Sequence, residues 1–165
     1  MSDPSPPPFA VGIGYDVHRF AEGRPLVLGG VEIPSPRGLE GHSDADVLLH
    51  AMCDALLGAA GLPDIGHFFP NSDERWKDAA STELLRDVAA RLAEDGWQVG
   101  NLDSVLVAEQ PKVAPHLPQM KAAVSLILGI PKARVGIKAT TNERMGFVGR
   151  EEGIAAMATA VLVRR

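Results

Sequence analysis

The chain has 165 residues, 45% of them hydrophobic, which is the size and composition of one domain able to bury its own core. Its 16 basic residues are scattered against 21 acids, for a formal net charge of −5; this disfavours a nucleic-acid partner, which needs a basic face, and leaves a small-molecule ligand as the expectation. One cysteine rules out an intrachain disulfide, no apolar run is long enough to span a bilayer, and the opening MSDPSPPPFA has neither the basic nor the apolar region of a signal peptide, so a cytoplasmic protein with no membrane partner is expected.

Residues 1–9 are proline-rich and predict a disordered, extended tail, with a single domain over 10–165. The first strand carries GYDVHRF. Because successive strand residues face opposite sides, Val11, Ile13, Tyr15 and Val17 share one face and Gly12, Gly14, Asp16 and His18 the other. The first is expected to be core and the second a site. PLVLGGVEI follows as a hairpin turning at Gly29-Gly30, expected to join the same sheet.

HSDADVLLHAMCDALLGAAGL predicts the first helix, capped by Ser43 or Asp44, with acids in its first turn and Gly61 and Pro63 beyond its end. Cys53 lies among its apolar positions and reads as a buried thiol. The long polar passage PDIGHFFPNSDERWKDAA is of the kind that is usually functional. A second helix is expected near STELLRDVAARLAEDG, a strand at NLDSVLVAEQPK, a third helix at PHLPQMKAAVSLILGI and a further strand at RVGIKATTNE. Periodicity alone leaves the tail GIAAMATAVLVRR undecided between helix and strand.

Asp46, His50 and Asp54 are four residues apart and form a polar stripe on the first helix. His50 then looks into the same polar space as Asp16 and His18, and two imidazoles with one carboxylate are a common catalytic zinc set that keeps a fourth position open. Asp46 or Asp54 is expected to orient His50 through its second ring nitrogen. His42 precedes the helix in GHSDAD, where a donor side chain beside free backbone N–H groups favours a phosphate. KATTNERMGFVGRE adds Thr140 and Thr141 hydroxyls, Glu143 for a hard cation, Lys138 and Arg150 for charge, and Gly146 and Gly149 for close backbone approach, an inventory suited to a diphosphate.

Taken in order, GYDVHRF, GGVEIP, GHSDADVLLHAMCDALLGAAGLPDIGHFFP, AEQPK followed by PHLPQM, and KATTNERMGFVGREEGIA resemble the 2-C-methyl-D-erythritol 2,4-cyclodiphosphate synthase family over nearly the whole chain from Val11. The resemblance implies a single-domain α/β sandwich with a mixed four- to five-stranded sheet packed by helices on one face. It further implies a homotrimer whose sheets enclose the threefold axis and whose active sites lie between subunits, and on that ground the tail is expected to be a strand. Asp16, His18 and His50 would hold Zn²⁺, and Glu143 a second divalent cation, Mg²⁺ or Mn²⁺. The CDP-linked substrate, 4-diphosphocytidyl-2-C-methyl-D-erythritol 2-phosphate, would be cyclised with loss of CMP.

By the same resemblance His42 and Thr141 would stabilise the transition state. Ser43 would join Asp16, His18 and His42 at the substrate, and Asp64, Ile65, Gly66, Phe69, Pro70, Asn71, Ser72 and Asp73 would hold the methylerythritol unit. Ala108, Pro111, Lys112, Ala139, Thr140, Thr141 and Glu143 would meet cytosine, ribose and phosphates, with Phe147 and Arg150 completing the set. Two positions depart from the family pattern: Asn71 stands where aspartate is expected, and Met157 where related chains often carry a glutamate lining the trimer axis. Two other readings of the residues stay open, a zinc-dependent phosphoester hydrolase and a non-catalytic module stabilised by its metal.

Overall fold

The computed structural model describes residues 8–165. Residues 1–7, on which most of the expected tail falls, lie outside the described residues. The strands are β1 (Phe9–Ala21), β2 (Leu26–Leu28), β3 (Val31–Ile33), β4 (Gly38–Leu39), β5 (Trp97–Val107), β6 (Val135–Thr140) and β7 (Gly153–Arg164). The helices are α1 (Val47–Ala59), α2 (Ile65–Phe68), α3 (Ser81–Glu94), α4 (Leu117–Leu128) and α5 (Gly146–Gly149). Five strands form one mixed sheet in the order β4-β1-β7-β5-β6, with only β5 and β6 parallel. The C-terminal segment is thus a strand at the centre of the sheet.

Helices α1, α3 and α4 close one face of this sheet over a core that includes Leu48, Met52, Leu56, Leu85, Leu102 and Leu106, all fully buried. Helix α1 lies directly on β1 and β7 because its seam is made of small residues. Gly12 and Gly14 face Ala51, Ala55 and Ala59 so closely that a Cβ on Gly12 would fall 2.1 Å from the Ala55 carbonyl oxygen, and one on Gly14 2.0 Å from that of Ala51. Glycine is required here by the approach of a helix backbone, which no side chain of a neighbour could relieve.

Several expectations are corrected. The apolar face of β1 is not core: Val11, Ile13 and Tyr15 are 62%, 66% and 53% exposed, and Phe9, Val17 and Met157 are exposed beside them. The helices occupy the other face because only the glycines allow them to approach. The β2–β3 hairpin does not join the main sheet; it forms a separate two-stranded sheet, and β4 pairs with β1 instead. The long polar passage between α1 and α3 holds α2 and a 3₁₀ turn at Glu74–Trp76.

The cap of α1 is neither Ser43 nor Asp44 but Asp46, and the first turn has no acid. The fully buried Asp46 carboxylate accepts from Leu49 N at 3.1 Å, Gly29 N at 2.9 Å and Gly30 N at 2.7 Å, so it ties the helix start to the hairpin turn. Gly29 and Gly30 both have positive φ, as a tight hairpin turn requires. Asp46→Ala orphans all three N–H groups and should cost about 3–5 kcal/mol of stability in chemical denaturation; a loss under about 1 kcal/mol would contradict this anchoring role. Burial, only partly offset by the three donors, holds the Asp46 carboxyl up at about 6. A carboxyl raised on folding stabilises most at low pH and less as pH rises through 6, so the loss in Asp46→Ala should be larger at pH 5 than at pH 7.5, by about 1 kcal/mol.

Candidate functional site

Strand β1 presents Asp16 and His18 on its helix-covered face, and α1 lowers His50 onto them one residue before the Ala51–Gly14 contact. Asp16 Oδ2 lies 2.9 Å from His18 Nε2 and 3.0 Å from His50 Nδ1, and the two ring nitrogens are 3.1 Å apart. These three atoms make a nearly equilateral triangle. A tetrahedral ion with ligand bonds of about 2.0–2.1 Å has ligand–ligand edges of roughly 3.3 Å, so the triangle needs only a few tenths of an ångström of expansion to fit a divalent metal. It is the one such cluster among the described residues.

The electrostatics agree with that use. Burial opposes ionisation of Asp16, but without a metal its hydrogen-bond contacts with His18 and His50 and their fields bring its pKa down to about 2. Burial likewise disfavours the His18 imidazolium, yet the Asp16 hydrogen bond and charge, with the Glu40 carbonyl, hold its pKa above the ordinary value. His18 Nδ1 donates to the Glu40 carbonyl at 2.6 Å, so Nε2 is the nitrogen that would give up its proton and turn its lone pair to a metal in the triangle.

The triad opens into a pocket of about 250 Å³ whose lining includes His42, Ser43, Ile65, Gly66, Phe69, Asn71 and Trp76. His42 is therefore beside the triad, although not through the helix end: the Asp46 carboxylate already fills the N-terminus of α1. Of the loop residues expected at a substrate, Asp64 caps α2 by accepting from His67 N, and Asp73 pairs with Arg75 at 2.6 Å. Neither of them, nor Pro70 or Ser72, lines this pocket. The Trp76 indole N–H is buried without a hydrogen-bond partner. Sequence reasoning missed it, since a tryptophan in a polar loop signals packing before donation.

His50 is not oriented by Asp46 or Asp54. Asp54 instead accepts from Ile65 N at 2.9 Å and fixes the start of α2. His50 Nε2 faces the hydroxyl oxygens of Ser81, at 2.9 Å, and Ser43, at 3.2 Å. Ser81 comes from α3, 31 residues away in the chain, and no local pattern marks it.

The second group of expected residues lies elsewhere. Across the sheet, Asp16 pairs with Ala156, Ala156 with Leu106 and Leu106 with Ala139, so Ala139–Thr141 stand level with the triad but three strands away, roughly 14 Å. None of Ala108, Pro111, Lys112, Ala139, Thr140, Thr141 or Glu143 lines the triad pocket. Ala108 N donates to the Thr140 carbonyl at 3.0 Å, and the Thr141 hydroxyl donates to Glu143 at 3.3 Å. Glu109, which sequence reasoning passed over, accepts from Asn142 N and Arg144 N, both at 3.0 Å. It thereby holds Glu143 and Arg144 in their positive-φ conformations. Phe147 lines a second, open cavity of about 740 Å³ that shares His18 with the triad pocket and takes in Tyr15, Val17, Arg37 and Glu151, and Arg150 pairs with Glu152 at 2.6 Å.

Residues 9–163 match the YgbB family. The chain is 62% identical over 155 residues, 94% of its length and 99% of the relative's, to the 2-C-methyl-D-erythritol 2,4-cyclodiphosphate synthase of Symbiobacterium thermophilum. Among solved structures, the bifunctional IspDF of Campylobacter jejuni superposes with a TM-score of 0.91 at 41% identity, covering 95% of this chain and 42% of that one. A CDP-bound form of 2C-methyl-D-erythritol-2,4-cyclodiphosphate synthase gives 0.85 at 38% identity, over 92% of this chain and 99% of its own. No helix among the described residues is long and apolar enough to cross a membrane.

Proposed function

Because the chain belongs to the YgbB family, we infer that it converts 4-diphosphocytidyl-2-C-methyl-D-erythritol 2-phosphate to 2-C-methyl-D-erythritol 2,4-cyclodiphosphate and CMP, as a phosphorus–oxygen lyase of non-mevalonate isoprenoid synthesis. The observation that carries this reading is the Asp16–His18–His50 triangle at the wall of a pocket, in a chain similar over 94% of its length to a named synthase. The catalytic unit is residues 10–165, acting in the cytoplasm.

The metal centre is read as Zn²⁺ on Asp16, His18 and His50, with Mg²⁺ or Mn²⁺ on Glu143. When bound, these cations supply positive charge to the β-phosphate and to the departing phosphate oxygens. The chain's own residues do the rest. An oxygen of the 2-phosphate, already an anion at neutral pH, attacks the β-phosphorus, and the bond from that phosphorus to the bridging oxygen breaks to release CMP. No strong general base is needed, so the work is positioning and charge stabilisation.

His42 lines the triad pocket and donates from that side, while the Thr141 hydroxyl, which donates to Glu143 in the free chain, turns to the substrate once a cation takes up that carboxylate. Ile65, Gly66, Phe69 and Asn71 wall the methylerythritol subsite, and the Trp76 N–H offers a donor that a substrate oxygen would satisfy. Asn71 offers this subsite a neutral amide in place of the aspartate of the family pattern.

The nucleotide half, Ala108, Pro111, Lys112 and Ala139–Thr141, is separated from the triad within one chain. A homotrimer resolves this by bringing the nucleotide half of one subunit to the triad of its neighbour. The exposed apolar face of β1, with Met157 on β7, supplies the surface that such an assembly would bury.

Turnover in ¹⁸O-water tests the reaction type. Cyclisation leaves both products free of solvent oxygen, whereas label in a linear phosphate product would establish hydrolysis instead. Glu143→Gln should retain the triad metal and raise the magnesium or manganese needed for half-maximal turnover by about tenfold or more, since one hard carboxylate ligand is lost. An unchanged metal titration would remove Glu143 from the cation site.

A further inference from the structure

We propose that Ser81 is a positioning residue that fixes the ring tautomer of His50 by relaying the charge of Asp44. The inference rests on the reading of Asp16, His18 and His50 as a metal centre. Ser81 is the first residue of α3 and is fully buried. Its hydroxyl lies against Asp44 Oδ1, its backbone N–H donates to Asp44 Oδ2 at 3.0 Å, and its Oγ lies 2.9 Å from His50 Nε2.

A serine hydroxyl has one proton to give, and an ionised carboxylate can only accept. Both Asp44 oxygens already accept a backbone N–H, from Asp46 and from Ser81, so the Ser81 hydroxyl donates to Asp44 and its Oγ accepts from His50 Nε2–H. The imidazole then carries its proton on Nε2, and its Nδ1 lone pair faces Asp16 Oδ2 and His18 Nε2 at 3.0 and 3.1 Å. Ser43 Oγ, at 3.2 Å, shares the same N–H but also accepts from Ala45 N, and it has no carboxylate behind it.

Asp44 is itself fixed. It accepts from Asp46 N at 3.2 Å, and its own N–H donates to the Ala79 carbonyl at 3.0 Å. The two imidazoles of the triad are thus turned inward by separate devices, His18 by the Glu40 carbonyl and His50 by the Asp44–Ser81 relay. A carboxylate behind a hydroxyl also makes the ring a stronger donor to a metal, as partners beyond the ligand shell commonly do.

The test is competitive titration of the full chain with Co²⁺ against a chelator, read by the cobalt visible spectrum. Ser81→Ala should weaken cobalt binding by about 10- to 100-fold and shift the spectrum. Ser81→Thr, which keeps the hydroxyl, should restore both toward native values. Asp44→Asn puts an amide NH₂ against a donor whichever way it turns, and should weaken binding as well. It also serves as the independent variant if Ser81→Ala fails to fold by circular dichroism. Native affinity and spectrum in a folded Ser81→Ala or Asp44→Asn chain would overturn the assignment, as would a Ser81→Thr chain as weak as Ser81→Ala. A native chain that takes up no cobalt would overturn the metal-centre reading itself.

Discussion

A Gly14→Ala chain is expected to lose about 4 kcal/mol or more of stability and to lose tight metal binding with it. The added Cβ would sit 2.0 Å from the Ala51 carbonyl oxygen and 2.7 Å from Ala55 N, backbone atoms that no rotamer change can move. Ordinary overpacking of a core costs about 1–3 kcal/mol because side chains give way; here α1 as a whole must lift from β1. That displacement separates His50 on α1 from Asp16 and His18 on β1, so stability and metal affinity fall together.

Gly58→Ala is the control. It lies on the same helix with its nearest neighbour, the Ile13 carbonyl oxygen, 3.8 Å from the new Cβ, and should gain about 0.5–1 kcal/mol from helix propensity. Denaturation midpoints and metal content of both variants decide the matter. A Gly14→Ala chain as stable as Gly58→Ala would refute the close-packed seam as what sets the site.

His50→Ala should empty the triad. It removes one of three ligand atoms and leaves two that cannot close a tetrahedral face, so metal content should drop to trace levels. Turnover should fall by at least about a thousandfold, the equivalent of several kcal/mol of charge stabilisation lost in the transition state. The fold should survive, since β1, β7 and the leucines of α1 are untouched. Full activity in a metal-free His50→Ala chain would sink the ligand assignment.

Much of this was legible in the sequence, and the failures have physical causes. Alternation along GYDVHRF correctly paired Asp16 with His18, and helical spacing aimed His50 at them, because strand and helix periods are local properties. The same alternation misjudged which face is core. Val11, Ile13 and Tyr15 are apolar enough to be buried, and only the contact between Gly14 and the Ala51 backbone shows that the helices choose the other side. The cap at Asp46 was misplaced because its carboxylate serves a turn 16 and 17 residues upstream as well as its own helix. Ser81 and Glu109 were missed for the same reason: each acts on a partner 31 to 35 residues distant, and nothing in the intervening spacing encodes such a bond.

The proposed function is closure of a cyclic diphosphate at a metal-dependent site. Phosphorus NMR of the purified chain with 4-diphosphocytidyl-2-C-methyl-D-erythritol 2-phosphate and magnesium, with and without a zinc chelator, tests it most directly. The expected result is CMP and a cyclic diphosphate, formed without the chelator and suppressed by it. Linear phosphate products, or an untouched substrate in the presence of a fully metal-loaded protein, would contradict it.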